Sequence, residues 1–201
     1  TLDATLSMDK QVSTVVRRMH FNIRRISKVK YHLTQEACAK AINATVLSHL
    51  DYHNGLLLGV SDQAMHRLQV AQNNAARCLT RTPYKQHISP VLQHLHWLPV
   101  KQRVVFKVLT TIQKSLHTPT APVYMRELCP VYRPKRTLRS SSDQWKLAVK
   151  KASNKYVARS LRTHGAQLWN ELPLEIRELE SHLAFRKNLK TLLFRREYSL
   201  S

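Results

Sequence analysis

Glycine is almost missing from this chain: Gly55, Gly59 and Gly165 are the only three in 201 residues. Glycine takes positive φ without steric cost, so a chain this poor in it has few tight hairpins and few backbone loops able to cradle a phosphate. Such a chain has to be built mainly from helices. Hydrophobic residues make up 43% of the sequence, enough for a packed core. The length suits one ordinary domain, or a compact domain with a smaller appendage.

The spacing of apolar residues agrees. Thr1 to Ser7 reads as the tail of a segment that begins earlier, with Ser7 as the N-cap of a long helix to about Lys30. Its inner stripe is Val12, Val15, Val16, Met19, Ile23 and Ile26; Lys10, Arg17, Arg18, Arg24, Arg25 and Lys28 project from the opposite side. Thr34 starts a second helix to about His53, with Ala37, Ala41, Ala44, Leu47 and Leu50 inward, ended by Asn54-Gly55 and Gly59. Ser61 or Asp62 caps a third helix to about Thr80, burying Met65, Leu68, Ala71, Ala75, Cys78 and Leu79. After a helical turn over Pro90 to His96, Pro99 opens a fourth helix to about His117, a position where proline costs nothing. Val100, Val104, Val108, Leu109, Ile112 and Leu116 form its inner stripe, and Arg103, Lys107 and Lys114 its narrow outer face.

Beyond Thr118 the character changes. Prolines punctuate a short helix from about Pro122 to Leu128, and Arg133 to Arg162 holds ten basic residues with one acid, Asp143. That stretch has little periodicity and reads as loop with a short β-hairpin. Chain around Trp169 is helical again, and Ser181 caps a last helix carrying Phe185, Leu189, Leu192 and Leu193. The expectation is a mainly α protein: a helical bundle over residues 1–128 and a smaller basic module over 129–201 that ends in a helix.

Charge points to the partner. Thirty-three Lys and Arg against twelve Asp and Glu leave a net charge of +21 and a pI near 10.5. A folded body this basic repels itself unless it meets a polyanion, and nucleic acid is the usual one. An anionic membrane surface offers the same charge, but the first helix's apolar stripe continues into a core, which disfavours it. The bland reading of the six cations is a solvated face. Surface helices usually interleave signs, however, and this face carries no compensating acid. The basic candidates therefore form two patches: Lys10, Arg17, Arg18, Arg24, Arg25 and Lys28, and then Arg133, Lys135, Arg136 and Arg139. Phe21 lies on the basic side of the first helix, where its ring could stack on a base or pack against a neighbouring element.

Catalytic patterns are not apparent. His49 and His53 have i,i+4 zinc spacing without a third ligand, and His49-x-Asp51 lies in a helix, not the jelly roll that an iron facial triad needs. Cys38 and Cys78 fall on apolar helical faces, the inert setting for a thiol. The five aspartates are scattered singly, so no two-metal site can be assembled from them. Nucleophile-elbow, P-loop and dinucleotide motifs are missing. The expectation is no catalytic, metal or cofactor site. Trp97 and Trp169, each bracketed by leucine before a proline, read as core anchors. Three widely spaced cysteines, no apolar run of roughly 18 residues and no signal-peptide core lead to an intracellular expectation, nuclear or cytoplasmic and not secreted.

Several strings, taken in order, resemble one family. They are Leu2-Asp3 through Leu6-Ser7, Leu50-Asp51-Tyr52-His53-Asn54, Leu68-Gln69 with Gln72-Asn73 and Ala75-Ala76-Arg77, Ile88-Ser89-Pro90-Val91-Leu92, and Leu95-His96-Trp97-Leu98-Pro99-Val100-Lys101-Gln102-Arg103. Arg136-Thr137-Leu138-Arg139-Ser140-Ser141, Leu168-Trp169-Asn170-Glu171-Leu172-Pro173 and Phe185-Arg186-Lys187-Asn188-Leu189-Lys190 follow at matching intervals. The ordered set is similar to the region after the catalytic palm in LINE-type (non-LTR) retrotransposon reverse transcriptases. The resemblance implies a thumb-like helical element that grips a template–primer backbone. It also implies an upstream palm domain as a partner, and a C-terminal module that touches RNA or nascent DNA. Departures are equally plain: the palm's paired aspartates do not occur in this sequence, and His53 stands where the family commonly has cysteine.

Overall fold

A computed structural model describes residues 7–133 and 145–198. The protein is mainly α, as the glycine scarcity requires. Its helices are α1 (Asp9–Val29), α2 (Gln35–Ile42), α3 (Ser48–Asp51), α4 (Asp62–Thr80), α5 (Ser89–His94), α6 (Val100–His117), α7 (Val123–Leu128), α8 (Lys155–Ala158), α9 (Ala166–Asn170), α10 (Leu174–Arg177) and α11 (His182–Tyr198).

Compactness divides the chain inside α6, into Thr1–Arg103 with Glu197–Ser201, and Val104–Arg196; the sequence pattern had drawn the division at 128/129. The physical reason is how the first turn of α6 is held. Gln69 accepts from the Val100 amide at 2.8 Å, buried Gln72 donates to the Leu98 carbonyl at 2.8 Å, and Arg103 pairs with Asp51. Those bonds tie residues 98–103 to the first unit. Further along α6, Gln113 donates to the carbonyls of Leu179 and Glu180 at 3.1 and 3.0 Å, and its Oε1 lies 2.7 Å from His182 Nδ1, all within the second unit.

In the N-terminal unit, α1 packs along α4. Val12, Met19, Ile23 and Ile26 are buried from α1; Leu68, Ala71, Ala75 and Ala76 are buried from α4, whose alanines permit close approach. Caps follow the sequence at two places: Thr34 accepts from the Ala37 amide and Ser61 from the Ala64 amide, each at 3.2 Å. The start of α1 differs. Met8, in the left-handed region at φ 66, precedes the helix, and Ser7 Oγ instead accepts from the Asp9 amide at 3.3 Å.

The second expected helix is interrupted by a π-turn, Asn43–Leu47, between α2 and α3. Cys38 and Ile42 face inward from α2, and Val46, Leu47 and Leu50 follow across the π-turn, while of the alanines expected inward Ala37 and Ala41 are half-buried and Ala44 is exposed. Asn22 of α1 donates to the Thr45 carbonyl within the widened turn at 2.8 Å.

The C-terminal unit is organised around Trp169, which is fully buried. Its indole N–H donates to the Trp145 carbonyl at 2.7 Å, and its ring stacks on Phe185 at 5.7 Å between centroids. Asn170 behaves like a strand neighbour, accepting from the Leu147 amide at 2.8 Å and donating to the Leu147 carbonyl at 2.9 Å. Val131 and Leu147 form an isolated antiparallel bridge. The chain joining them, where the expected hairpin would turn, lies outside the described residues. Gly165 sits where a Cβ would come within 3.0 Å of Leu161 Cδ1 and 3.3 Å of Ile112 Cδ1, so close packing explains this glycine. Ser181 caps α11, through which Phe185, Leu189 and Leu193 enter the core.

Candidate nucleic-acid interface

At the ideal 100° per residue, the six cations of α1 fall on an arc of about 120° directly opposite the buried stripe. Lys10, Arg17, Arg18, Arg24, Arg25 and Lys28 are all exposed. Among the described residues, no carboxylate lies within ion-pair distance of any of them. The acid on α1, Asp9, belongs to the first turn, where it complements the helix dipole. Phe21 occupies the middle of the basic arc with 59% of its surface exposed, and the Arg25 guanidinium lies over its ring at 5.7 Å. Of the two placements considered for this ring, packing under another element is not the one adopted.

The second patch is incompletely described. Arg133 is exposed at the Val131 bridge, whereas Lys135, Arg136 and Arg139 lie outside the described residues.

Other basic residues are drawn into the architecture. Arg103, expected on the outer face of α6, binds both carboxylate oxygens of Asp51 at 2.9 and 3.1 Å and donates through Nε to the Leu98 carbonyl at 3.0 Å. Arg177 is buried and donates to the Leu172 carbonyl at 3.1 Å.

Asp51 is thus engaged, and α3 ends there. His49 and His53 therefore do not share a helical face; His53 sits at φ 51 with its ring edge-on to Tyr52 at 4.1 Å. Among the described residues, no group of three His, Cys, Asp or Glu side chains could hold a metal ion. Cys38, Cys78 and Cys129 are buried free thiols. Burial pushes Cys129 up to about 11. It also raises Cys38, against the opposing pull of Arg81 and Lys30, and raises Cys78 together with its neighbour Cys38. Thiols so shifted stay protonated at neutral pH, which makes them poor nucleophiles.

A cationic cluster that the periodicity did not reveal sits where α1 and α4 end. Arg81, the C-cap of α4 with φ 57, donates to the Lys30 carbonyl at 3.2 Å, although 51 positions separate them. Both side chains face Tyr31: Arg81 Cζ is 5.0 Å and Lys30 Nζ 5.2 Å from its ring centroid. The loop after α4 carries Tyr84 under the Arg77 guanidinium at 5.4 Å. The only local signal was the recurrence of Tyr beside Lys or Arg at helix ends, which is common enough to pass unnoticed.

A concavity of about 660 Å³ in the N-terminal unit mixes signs: Asp62 and Glu197 line it with Lys101, His66 and His87. A polyanion gains little there. Among the described residues, no helix is long and apolar enough to cross a membrane. Compared with protein-family models, with curated proteins and with solved structures, the chain matches none.

Proposed function

We propose that this chain binds nucleic acid without catalysing a reaction on it, holding backbone phosphates with the outer face of α1 as a thumb-like remnant of a LINE-type reverse transcriptase. The observation that carries the reading is the row of exposed, carboxylate-free cations opposite the buried stripe of α1. From Lys10 to Lys28 the row spans about 27 Å at 1.5 Å per residue, the length of about eight base pairs of duplex at 3.4 Å each. Arg24 and Lys28 are like charges one turn apart, an arrangement that slightly weakens a helix unless an anion intervenes. Since phosphate contacts position without reading sequence, binding should be sequence-tolerant and strongly salt-dependent.

The deciding experiment is an anisotropy titration of the full chain against RNA, duplex DNA and an RNA–DNA hybrid at several salt concentrations. Reversing Arg17, Arg24 and Lys28 together to Glu should weaken binding to every sequence and flatten the salt dependence by about one unit of slope per lost contact. Unchanged curves would remove α1 from the interface. Primer extension by the chain alone should yield no product.

A protein-interaction role, with a transposon-derived scaffold or an upstream palm domain supplied in trans, is the second reading. An apolar cleft of about 240 Å³ favours it, lined by Met8, Val12, Val15, Leu50 and Leu57, with Tyr52 and Leu56 exposed at its rim. Binding to an isolated palm domain that persists in high salt would support that reading over the first.

A further inference from the structure

We infer that Tyr31 and Tyr84, with the cations held over them, form a stacking site for unpaired nucleobases, so that the preferred ligand carries a single-stranded segment beside the stretch held by α1. This rests on the nucleic-acid reading above and adds a ligand class and a site to it. The two rings are left 70% and 85% exposed, Tyr84 more than any other large hydrophobic side chain among the described residues. Attraction between helix C-termini and cations accounts for Lys30 and Arg81. It does not account for two broad aromatic faces in water beside them.

The cluster is also fixed. The Arg77 guanidinium donates to the Pro83 and Gln86 carbonyls at 2.6 and 2.8 Å, which fixes its plane over Tyr84 and orders the loop between. Arg81 is held on left-handed backbone, where glycine or asparagine is ordinary, by its bond to the Lys30 carbonyl. A cavity of about 260 Å³ opens beside the cluster between Lys30 and Arg81, walled by Leu33, Gln35, Cys38, Cys78 and Thr80; neither tyrosine lines it. Among the described residues, Lys30, Arg77 and Arg81 have no carboxylate within ion-pair distance. Rings and guanidinium planes are the surfaces on which splayed bases stack, with cations nearby for the flanking phosphates. Lys30, just past the end of α1, follows Lys28 by two residues but lies on the α4 side of the helix, so the cluster adjoins the end of the α1 row without extending its face.

The test compares a 15-nucleotide oligouridylate, partly substituted with 5-iodouracil, with a blunt RNA hairpin duplex, using the full chain at one moderate salt concentration. The Y31L/Y84L variant should lose about fivefold or more per ring in affinity for the single strand and keep its duplex affinity. The Y31F/Y84F variant should keep both. Photocrosslinks from iodouracil should map to Tyr31 or Tyr84 in the wild type. Single-strand affinity unchanged in Y31L/Y84L, or single-strand and duplex affinity falling equally, would overturn the stacking site. If the Arg17, Arg24 and Lys28 reversal then still weakens both ligands, the phosphate face stands alone. If that reversal does nothing while the tyrosine loss persists, the stacking site stands and the α1 face falls. Failure of the wild type to bind either polymer overturns both.

Discussion

The helix α1 and the chain from Lys146 to Arg162 are both dense in lysine and arginine, yet they hold that charge in different ways. In α1 the helical period sorts the residues: Val12, Met19, Ile23 and Ile26 turn inward, and every cation is carried to the far side. In the second stretch the only helix before Leu161 is the single turn of α8. Its backbone is satisfied piece by piece, by Asn170 at Leu147, by the Trp169 indole at Trp145 and by Thr163 at Lys150. Lys146 and Arg159 end up half-buried and engaged, while Lys150, Lys151, Lys155 and Arg162 are exposed. A repeating backbone concentrates charge on one surface as a by-product of burying its stripe. An irregular backbone leaves its cations wherever the anchors allow.

Trp169→Ala should have the largest effect. Deleting a fully buried aromatic side chain costs about 3–5 kcal/mol, enough to unfold the C-terminal unit, seen as lost near-ultraviolet dichroism and a lower urea midpoint. If duplex binding disappears with it, the phosphate contacts are not confined to α1 and the contrast drawn here breaks. Asn170→Leu comes next. It strips both partners from the Leu147 backbone at similar side-chain volume and should cost about 2 kcal/mol in the same denaturation experiment.

Acidification should act on the C-terminal unit more gently. Burial holds His117 below its ordinary 6.5, with the Arg177 backbone and Glu180 opposing. Burial, then Arg186 and Lys114, do the same to His182. A histidine with a depressed folded-state pKa takes up its proton more readily in the unfolded chain. Stability should therefore be fully present above pH 6.5 and decline as the pH falls from there toward the folded-state values. A urea midpoint that holds steady, or rises, between pH 7 and pH 5 would contradict this. The smallest effect sharpens the comparison best. Arg24→Ala should raise thermal stability by about 0.2–0.5 kcal/mol, through relief of its repulsion with Lys28, while lowering affinity for nucleic acid and the salt slope by about one. Opposite signs in the two measurements would identify a surface that is slightly destabilised in order to bind.

What the sequence alone determined was most of what is encoded within about one helical turn. The extents of α1, α4 and α6, the Thr34 and Ser181 caps, the cap at Ser61 or Asp62 and most of the inward stripes depend on spacings of three or four residues and could be read directly. So could the basic arc of α1, because its exposure follows from the burial of the opposite side. Ser7, read as the α1 cap, and Val15, Val16, Met65 and Leu116, read as inward but half-buried, are among the exceptions. Tertiary structure decided what depends on separated segments meeting. It drew Arg103 inward to Asp51, admitted a π-turn between α2 and α3, and brought Arg81 across 51 positions to Lys30 and Tyr31. Those outcomes turn on how α1, α2 and α4 pack within the N-terminal unit and on how the first turn of α6 is held. Packing of that kind is set by the summed shape of many side chains and leaves no local pattern in any one of them.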